Sequence, residues 1–229
     1  MIKDAVELQQ LERACSITAR ALQALLTAVQ AGDTEIQIAR RLEGLFAEFG
    51  ADDRAFPSIV ASGPNSAVPH HRPTDRALQP GDLVIVDCGA LVGGYHADMT
   101  RTFVVARDPA PWQWRIHEVV AAAQQAALAA AQPGVTGREV DRVARSVIAE
   151  AGFAEGFLHG TGHGVGLQIH EPPMLVATSA DTIVADSPMT IEPGIYLPGR
   201  GGVRLEDTIV VGSPPRVLTD APRDLIVVG

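Results

Sequence analysis

The stretch VDCGALVGGYHAD, Val86 to Asp98, pairs an apolar lead-in with two aspartates, and carboxylates are rarely buried unless paired or bound to a cation. Gly93-Gly94 reads as a two-residue hairpin turn, which sets Asp98 opposite Gly89. Asp87 then lies two residues from Gly89 on the same face. The two aspartates become diagonal neighbours roughly 7–8 Å apart at Cα. Two such carboxylates repel unless a proton or a cation sits between them. A plainer reading has Asp98 capping the strand end and pairing with Arg101.

A second hairpin repeats the pattern. In MTIEPGIYLPGRGGVRLEDTIVV, a turn centred on Gly199 makes Glu192 and Glu206 face each other, with Arg204 on the face of Glu206. Four carboxylates converging from two hairpins require divalent metal. FLHGTGHGVGLQIHEPP offers nitrogen ligands, and its glycines at 160, 162, 164 and 166 exclude a helix. As extended chain, His159 and His163 share a face but stand about 13 Å apart at roughly 3.3 Å per residue. One of them therefore serves as ligand. The other works further out, with His170 on substrate or solvent.

The elements that must position these residues recur. Val6–Val29 and EIQIARRLEGLFAEFG, the latter capped by Asp33 or Thr34, read as helices. Short β-rich runs fill Phe56–Val105. Pro109 and Pro111 precede a helix from about Trp112 to Ala131, then REVDRVARSVIAEAG, then strands to Val228. Gly32, Thr34, Arg40, Ala47, Glu48 and Gly50 match Gly134, Thr136, Arg142, Ala149, Glu150 and Gly152, each 102 positions further on. The expectation is an α+β protein, one domain over 1–229 with halves of about 1–108 and 109–229.

Bulk properties narrow the class. The chain has 229 residues and a net charge of −9, with no Lys/Arg cluster, which speaks against a nucleic-acid surface. No apolar run suits a membrane span. Two cysteines and no signal core point to a reducing, cytoplasmic setting. Among the remaining residues, His71 reads as a solvent-facing neighbour of His70, His117 as surface, and Cys88 as core. His96 reads as at most near the site, Trp112 and Trp114 as helix-start anchors, and Pro172-Pro173 as pocket wall or strand terminator.

Together VDCGALVGGYHADMTRTF, HGTGHGVGLQIHEPP, TIEPGIYLPG and GVRLED closely resemble the pita-bread metallopeptidases, over nearly the whole chain. The resemblance implies a pita-bread fold of two pseudo-symmetric halves around a curved antiparallel sheet. It also implies two divalent metal ions, Mn²⁺ first, with Co²⁺, Zn²⁺ or Fe²⁺ as alternatives, held by Asp87, Asp98, His163, Glu192 and Glu206. Asp98 and Glu206 would bridge the ions, and Glu192 would take the proton from the water they share. His70 would lie near the scissile bond, His170 on the substrate carbonyl, and His159 beside the pocket. Arg204 in GVRLED resembles the Xaa-Pro branch, which implies short peptides with proline at the second position, and a homodimer. Thr161 stands where methionine aminopeptidases often have Cys. The chain begins directly at the catalytic domain, as simple methionine aminopeptidases do, which keeps that activity as the alternative. A peptidase-like binding module without catalysis is the remote one.

Overall fold

The computed structural model describes residues 2–229. Among the described residues, four α-helices and fourteen strands fall into two successions of two helices followed by strands. The first comprises α1 (Ala5–Leu26), α2 (Glu35–Glu48), β1 (Asp53–Arg54), β2 (Ile59–Ser62), β3 (Leu83–Cys88), β4 (Ala90–Val92), β5 (Tyr95–His96) and β6 (Met99–Val105). The second comprises α3 (Pro111–Ala130), α4 (Gly137–Glu150), β7 (Gly162–Gly164), β8 (Glu171–Leu175), β9 (Pro188–Ile191), β10 (Gly194–Leu197), β11 (Gly201–Arg204), β12 (Asp207–Val210), β13 (Arg216–Val217) and β14 (Val227–Val228).

The helix boundaries follow from side-chain chemistry. Asp4 and Glu7 form a capping box at the start of α1, Thr34 and Gln37 at α2, and Thr136 and Glu139 at α4. Of the two caps expected for α2, Thr34 is the one used. The 102-residue repeat is structural as well. Thr34 makes an isolated bridge to Ala77 and Thr136 makes one to Thr182. Gly32 N–H donates to Leu78 O, and Gly134 N–H to Ile183 O.

Each half buries its own core. α1 and α2 cover the sheet β14-β6-β3-β2 with Leu11, Leu22, Ile38, Leu42, Phe46 and Phe103. α3 and α4 cover β13-β12-β9-β7-β8 with Ile116, Val120, Val140, Ile148, Met189 and Ile209. The halves interlock at both ends of the chain. β14 pairs parallel with β6, and Lys3 N–H donates to Asp186 O.

The single curved sheet expected from the sequence is interrupted at the acidic residues. β3 and β6 give way to β4 and β5 at Gly89 and Asp98, although one register runs through both, from Leu83 opposite Val104 to Val92 opposite Tyr95. A Cβ on Gly89 would lie 1.8 Å from Ala97 O, so the crossing at this break admits only glycine. β9 and β12 give way to β10 and β11 at Glu192 and Glu206, again in one register, Ile191 opposite Asp207 and Gly194 opposite Arg204. Hairpins must kink where pairing stops. Asp98, Glu192 and Glu206 occupy the kinks, while Asp87 stays within β3.

Three expectations for individual residues are corrected. His117 is buried, its Nε2 2.9 Å from Arg223 O, because α3 packs against the C-terminal segment. His71 is half-buried and bonded to Glu35 rather than solvent-facing. Pro172 and Pro173 lie inside β8 and do not terminate it. Trp112 packs on the second core, with Arg200 stacked on its ring, whereas Trp114 is exposed.

Candidate metal centre and cleft

The two hairpin kinks meet between the halves. Thr208 hydroxyl donates to Asp98 O at 2.7 Å, and Thr100 hydroxyl donates to Glu206 Oε2 at 2.6 Å. Glu206 N–H donates to Thr100 O at 3.1 Å. These crossed bonds set Asp98 and Glu206 side by side. With His163 they place one ligand atom each within 4.8 Å of one another, all three buried. Glu192 joins through Oε1, 3.3 Å from His163 Nε2, and Asp98 Oδ2 is 3.6 Å from the same nitrogen.

Asp98 does not pair with Arg101. That guanidinium turns away, to Asp207 Oδ1 at 2.8 Å and to the carbonyls of Glu206, Pro222 and Ala221. Burial, together with Glu206 and Asp87 nearby, pushes the Asp98 carboxyl well above its ordinary range. Burial and the charges of Glu192 and Asp87 do the same to Glu206. Burial pushes Glu192 up as well, but the hydrogen bond and charge of His163 outweigh it and hold Glu192 down to about 2.

These residues fit divalent cations. Asp87 Oδ1 and Glu206 Oε1 are buried and accept no hydrogen bond among the described residues, which is costly unless something else binds them. His163 Nδ1 lies 3.0 Å from Gly164 O and donates to it, so Nε2, which shares its proton with Glu192 in the metal-free protein, is the nitrogen that would bind a cation on losing that proton. Four carboxylates and one imidazole suit borderline-hard divalent ions.

A cleft of about 300 Å³ opens over the cluster, walled on its apolar side by Phe56, Ile59, Pro69, Ile169, Met174 and Val176. His70, His159 and His170 line it. The His170 ring stands edge-on to that of His163, centroids 4.3 Å apart, and burial with the nearby His163 charge lowers its pKa. His159 has both ring nitrogens engaged, Nδ1 with Gly160 O at 2.8 Å and Nε2 with Tyr196 hydroxyl at 2.7 Å. It shapes the wall. Burial lowers its pKa despite Glu192.

Arg204 is 2% exposed and directs its N–H groups at protein atoms: Asp87 Oδ2 at 2.6 Å, Tyr196 hydroxyl at 2.8 Å, Thr100 hydroxyl at 3.1 Å and Pro69 O at 3.2 Å. A chain of bonds thus runs Asp87–Arg204–Tyr196–His159, from the carboxylates to the cleft wall. All nine residues expected at the site are brought together. Tyr196 and Thr100 were missed. Thr100 stands opposite Asp87 in the hairpin register and could have been found there, while nothing in the sequence singles out Tyr196.

The model of Metallopeptidase family M24 matches residues 9–213. The Xaa-Pro dipeptidase of Pyrococcus furiosus is 41% identical over 227 residues, 99% of this chain and 65% of the relative. The probable dipeptidase PepE of Mycobacterium tuberculosis is 41% identical over 230 residues, 100% of this chain and 61% of its own. Among solved structures, an X-Pro aminopeptidase from Thermotoga maritima superposes with a TM-score of 0.97 at 38% identity, covering 100% of this chain and 65% of that one. The prolidase from Pyrococcus furiosus gives 0.94 at 41%, covering 97% and 66%. These neighbours have the pita-bread fold expected from the sequence. The chain spans just under two thirds of the length of the curated relatives it matches. No helix among the described residues is long and apolar enough to cross a membrane.

Proposed function

Because the chain belongs to metallopeptidase family M24, we propose that its cleft hydrolyses the bond between an N-terminal residue and proline, with two divalent ions, Mn²⁺ by first choice, held by Asp87, Asp98, His163, Glu192 and Glu206. The observation that carries the metal reading is the pair of orphaned buried oxygens, Asp87 Oδ1 and Glu206 Oε1, beside the cluster of Asp98, His163 and Glu206. When bound, divalent ions supply Lewis acidity, making a water more acidic and offsetting charge on the scissile carbonyl.

The remaining work falls to the chain itself. Thr190 hydroxyl donates to Glu192 Oε1 at 3.1 Å, which orients this cleft-lining carboxylate as the proton acceptor. His170, neutral and beside His163, is placed to donate to the carbonyl oxygen as negative charge develops, favouring the transition state over bound substrate. His70 lines the same cleft. Arg204 acts through the residues it holds, fixing Asp87 on one side and Tyr196 on the other.

The apolar wall supports proline selectivity. Proline's ring needs an apolar surface, and its tertiary amide has no N–H requiring a partner. Residues 1–229 act as one catalytic unit, since β14 and Lys3 each tie their end of the chain to the other half. Cys15 and Cys88 are free and buried, which suits a reducing, cytoplasmic compartment. Measuring kcat/KM for Ala-Pro, Ala-Pro-Ala, Ala-Ala-Ala and Met-Ala-Ser on one Mn²⁺-loaded preparation tests the proposal. Preference for the proline peptides is expected. Preference for Met-Ala-Ser would reassign the activity to a methionine aminopeptidase.

A further inference from the structure

The loop that carries His70 closes on one buried carboxylate that the chemistry above does not use. Glu35, the first residue of α2, is 0% exposed. Its Oε1 accepts from Ser62 N–H at 2.8 Å, Ser62 hydroxyl at 2.7 Å and Asn65 amide at 3.0 Å. Its Oε2 accepts from Thr74 N–H at 3.0 Å, Thr74 hydroxyl at 2.7 Å and His71 Nε2 at 2.8 Å. One oxygen therefore grips the start of the loop and the other grips its end. The free N–H groups of the first turn of α2 reinforce this, Glu35 donating to Arg76 O and Ile36 to Thr74 O, both at 3.2 Å.

His70 sits between two anchors. Its neighbour Pro69 is held through its carbonyl by Arg204, and its neighbour His71 is held through its ring by Glu35. All the partners of Glu35 are donors, so only the ionised, acceptor-only form satisfies them. Burial works against that charge, but the bonds from Asn65, His71, Ser62 and Thr74 outweigh it and bring the pKa down to about 2. An amide in its place would turn an N–H₂ group toward donors at one end of the loop.

The second half uses a comparable device. Asp141 on α4, 0% exposed, accepts from Thr161 N–H at 3.1 Å and Thr161 hydroxyl at 3.0 Å, within the segment between His159 and His163. Each half thus grips a histidine-bearing segment from its second helix.

We propose that Glu35 is a positioning residue that, through His71 and the two ends of the Ser62–Thr74 loop, fixes His70 over the cleft. The inference rests on the reading of the cleft as a peptidase site for the role of His70, but the clamp can be read without turnover. The experiment compares wild type, Glu35→Gln, His70→Ala and the double variant, each loaded with Mn²⁺. It measures kcat and KM on Ala-Pro and metal stoichiometry on these preparations, and amide exchange across residues 62–74 and the His70 ring signals by NMR on the same proteins freed of paramagnetic Mn²⁺.

Glu35→Gln is expected to lower kcat between about 10- and 100-fold, as misplacement of a reacting-site group by about 1 Å does. KM and metal content should change little, exchange should rise within 62–74, and the His70 signals should shift. On the His70→Ala background the same change should cost less than about twofold. An equal loss on both backgrounds, or wild-type kcat in Glu35→Gln, would overturn the proposal. Should wild type fail to cleave Ala-Pro, the peptidase reading falls, and unchanged exchange and His70 signals in Glu35→Gln would then overturn the clamp separately. If Glu35→Gln does not fold, Thr74→Val, which removes one hydroxyl donor, enters the same comparison with the same criteria.

Discussion

Replacing Asp98 by Asn should make the metal-free protein more stable and, at the same time, insensitive to metal. Asp98 and Glu206 each present a ligand atom within 4.8 Å of the other. At an effective dielectric of about 20, two unit charges at that distance repel by about 3.5 kcal/mol. Proton uptake relieves part of this, so the asparagine should recover about 2 kcal/mol. For a chain of this length, each kcal/mol moves Tm by about 2–4 °C, so the metal-free Tm should rise by about 4–8 °C.

The pH dependence follows the same sign. Carboxyls raised above their ordinary range bind more protons folded than unfolded. Metal-free stability should therefore fall as pH rises above about 4, the unfolded value, toward the raised folded values. Asp98→Asn should flatten that slope. In wild type, Mn²⁺ at about a hundred times its Kd should add about 2.7 kcal/mol. In Asp98→Asn that gain should largely vanish. Thermal unfolding of both proteins in EDTA and in excess Mn²⁺, from pH 5 to 8, provides the comparison. A variant less stable than wild type in EDTA, yet still stabilised by Mn²⁺, would refute the converging-carboxylate account.

Other outcomes follow from single residues. His170→Ala should lower kcat by about 10²-fold with metal content intact, as loss of an oxyanion donor does; loss of metal would instead make His170 a ligand. Glu35, depressed to about 2 from an ordinary 4.5, contributes stability that is present above pH 4.5 and lost as pH falls toward 2. The Tm gap between wild type and Glu35→Gln should accordingly close over that window, and a gap that persists to pH 2 would contradict it. Arg101→Ala removes one of the two guanidinium partners of buried Asp207 and leaves the carbonyls of Glu206, Pro222 and Ala221 short of a donor; it should cost about 1–3 kcal/mol, read from denaturant unfolding, because Arg223 still holds the carboxylate at 2.6 Å.

Local rules made the hairpins legible. Gly93-Gly94, with positive φ at both residues, is a turn that only one register fits, and side-chain alternation then places Asp98 opposite Gly89. Glu192 and Glu206 fall into facing positions about Gly199 for the same reason. The repeat was readable because Thr34 and Thr136 cap equivalent helices. What sequence could not give depends on contacts between distant segments. His117 has helix-surface spacing, but the C-terminal segment folds over it at Arg223. His71 reads as solvent-facing from sequence because its partner, Glu35, is 36 residues earlier on another element. The breaks in sheet pairing at the acids arise where the two halves meet, and neither half's pattern encodes them alone.

The central claim is that five side chains, three from two hairpin kinks, one from β3 and one from a glycine-rich strand, form a two-ion centre. Anomalous difference scattering from crystals grown with Mn²⁺ tests it most directly. The account requires two peaks, each in contact with Asp98 and Glu206, with Asp87 on one and His163 and Glu192 on the other. No peak in the cleft, or peaks ligated by other residues, would contradict it.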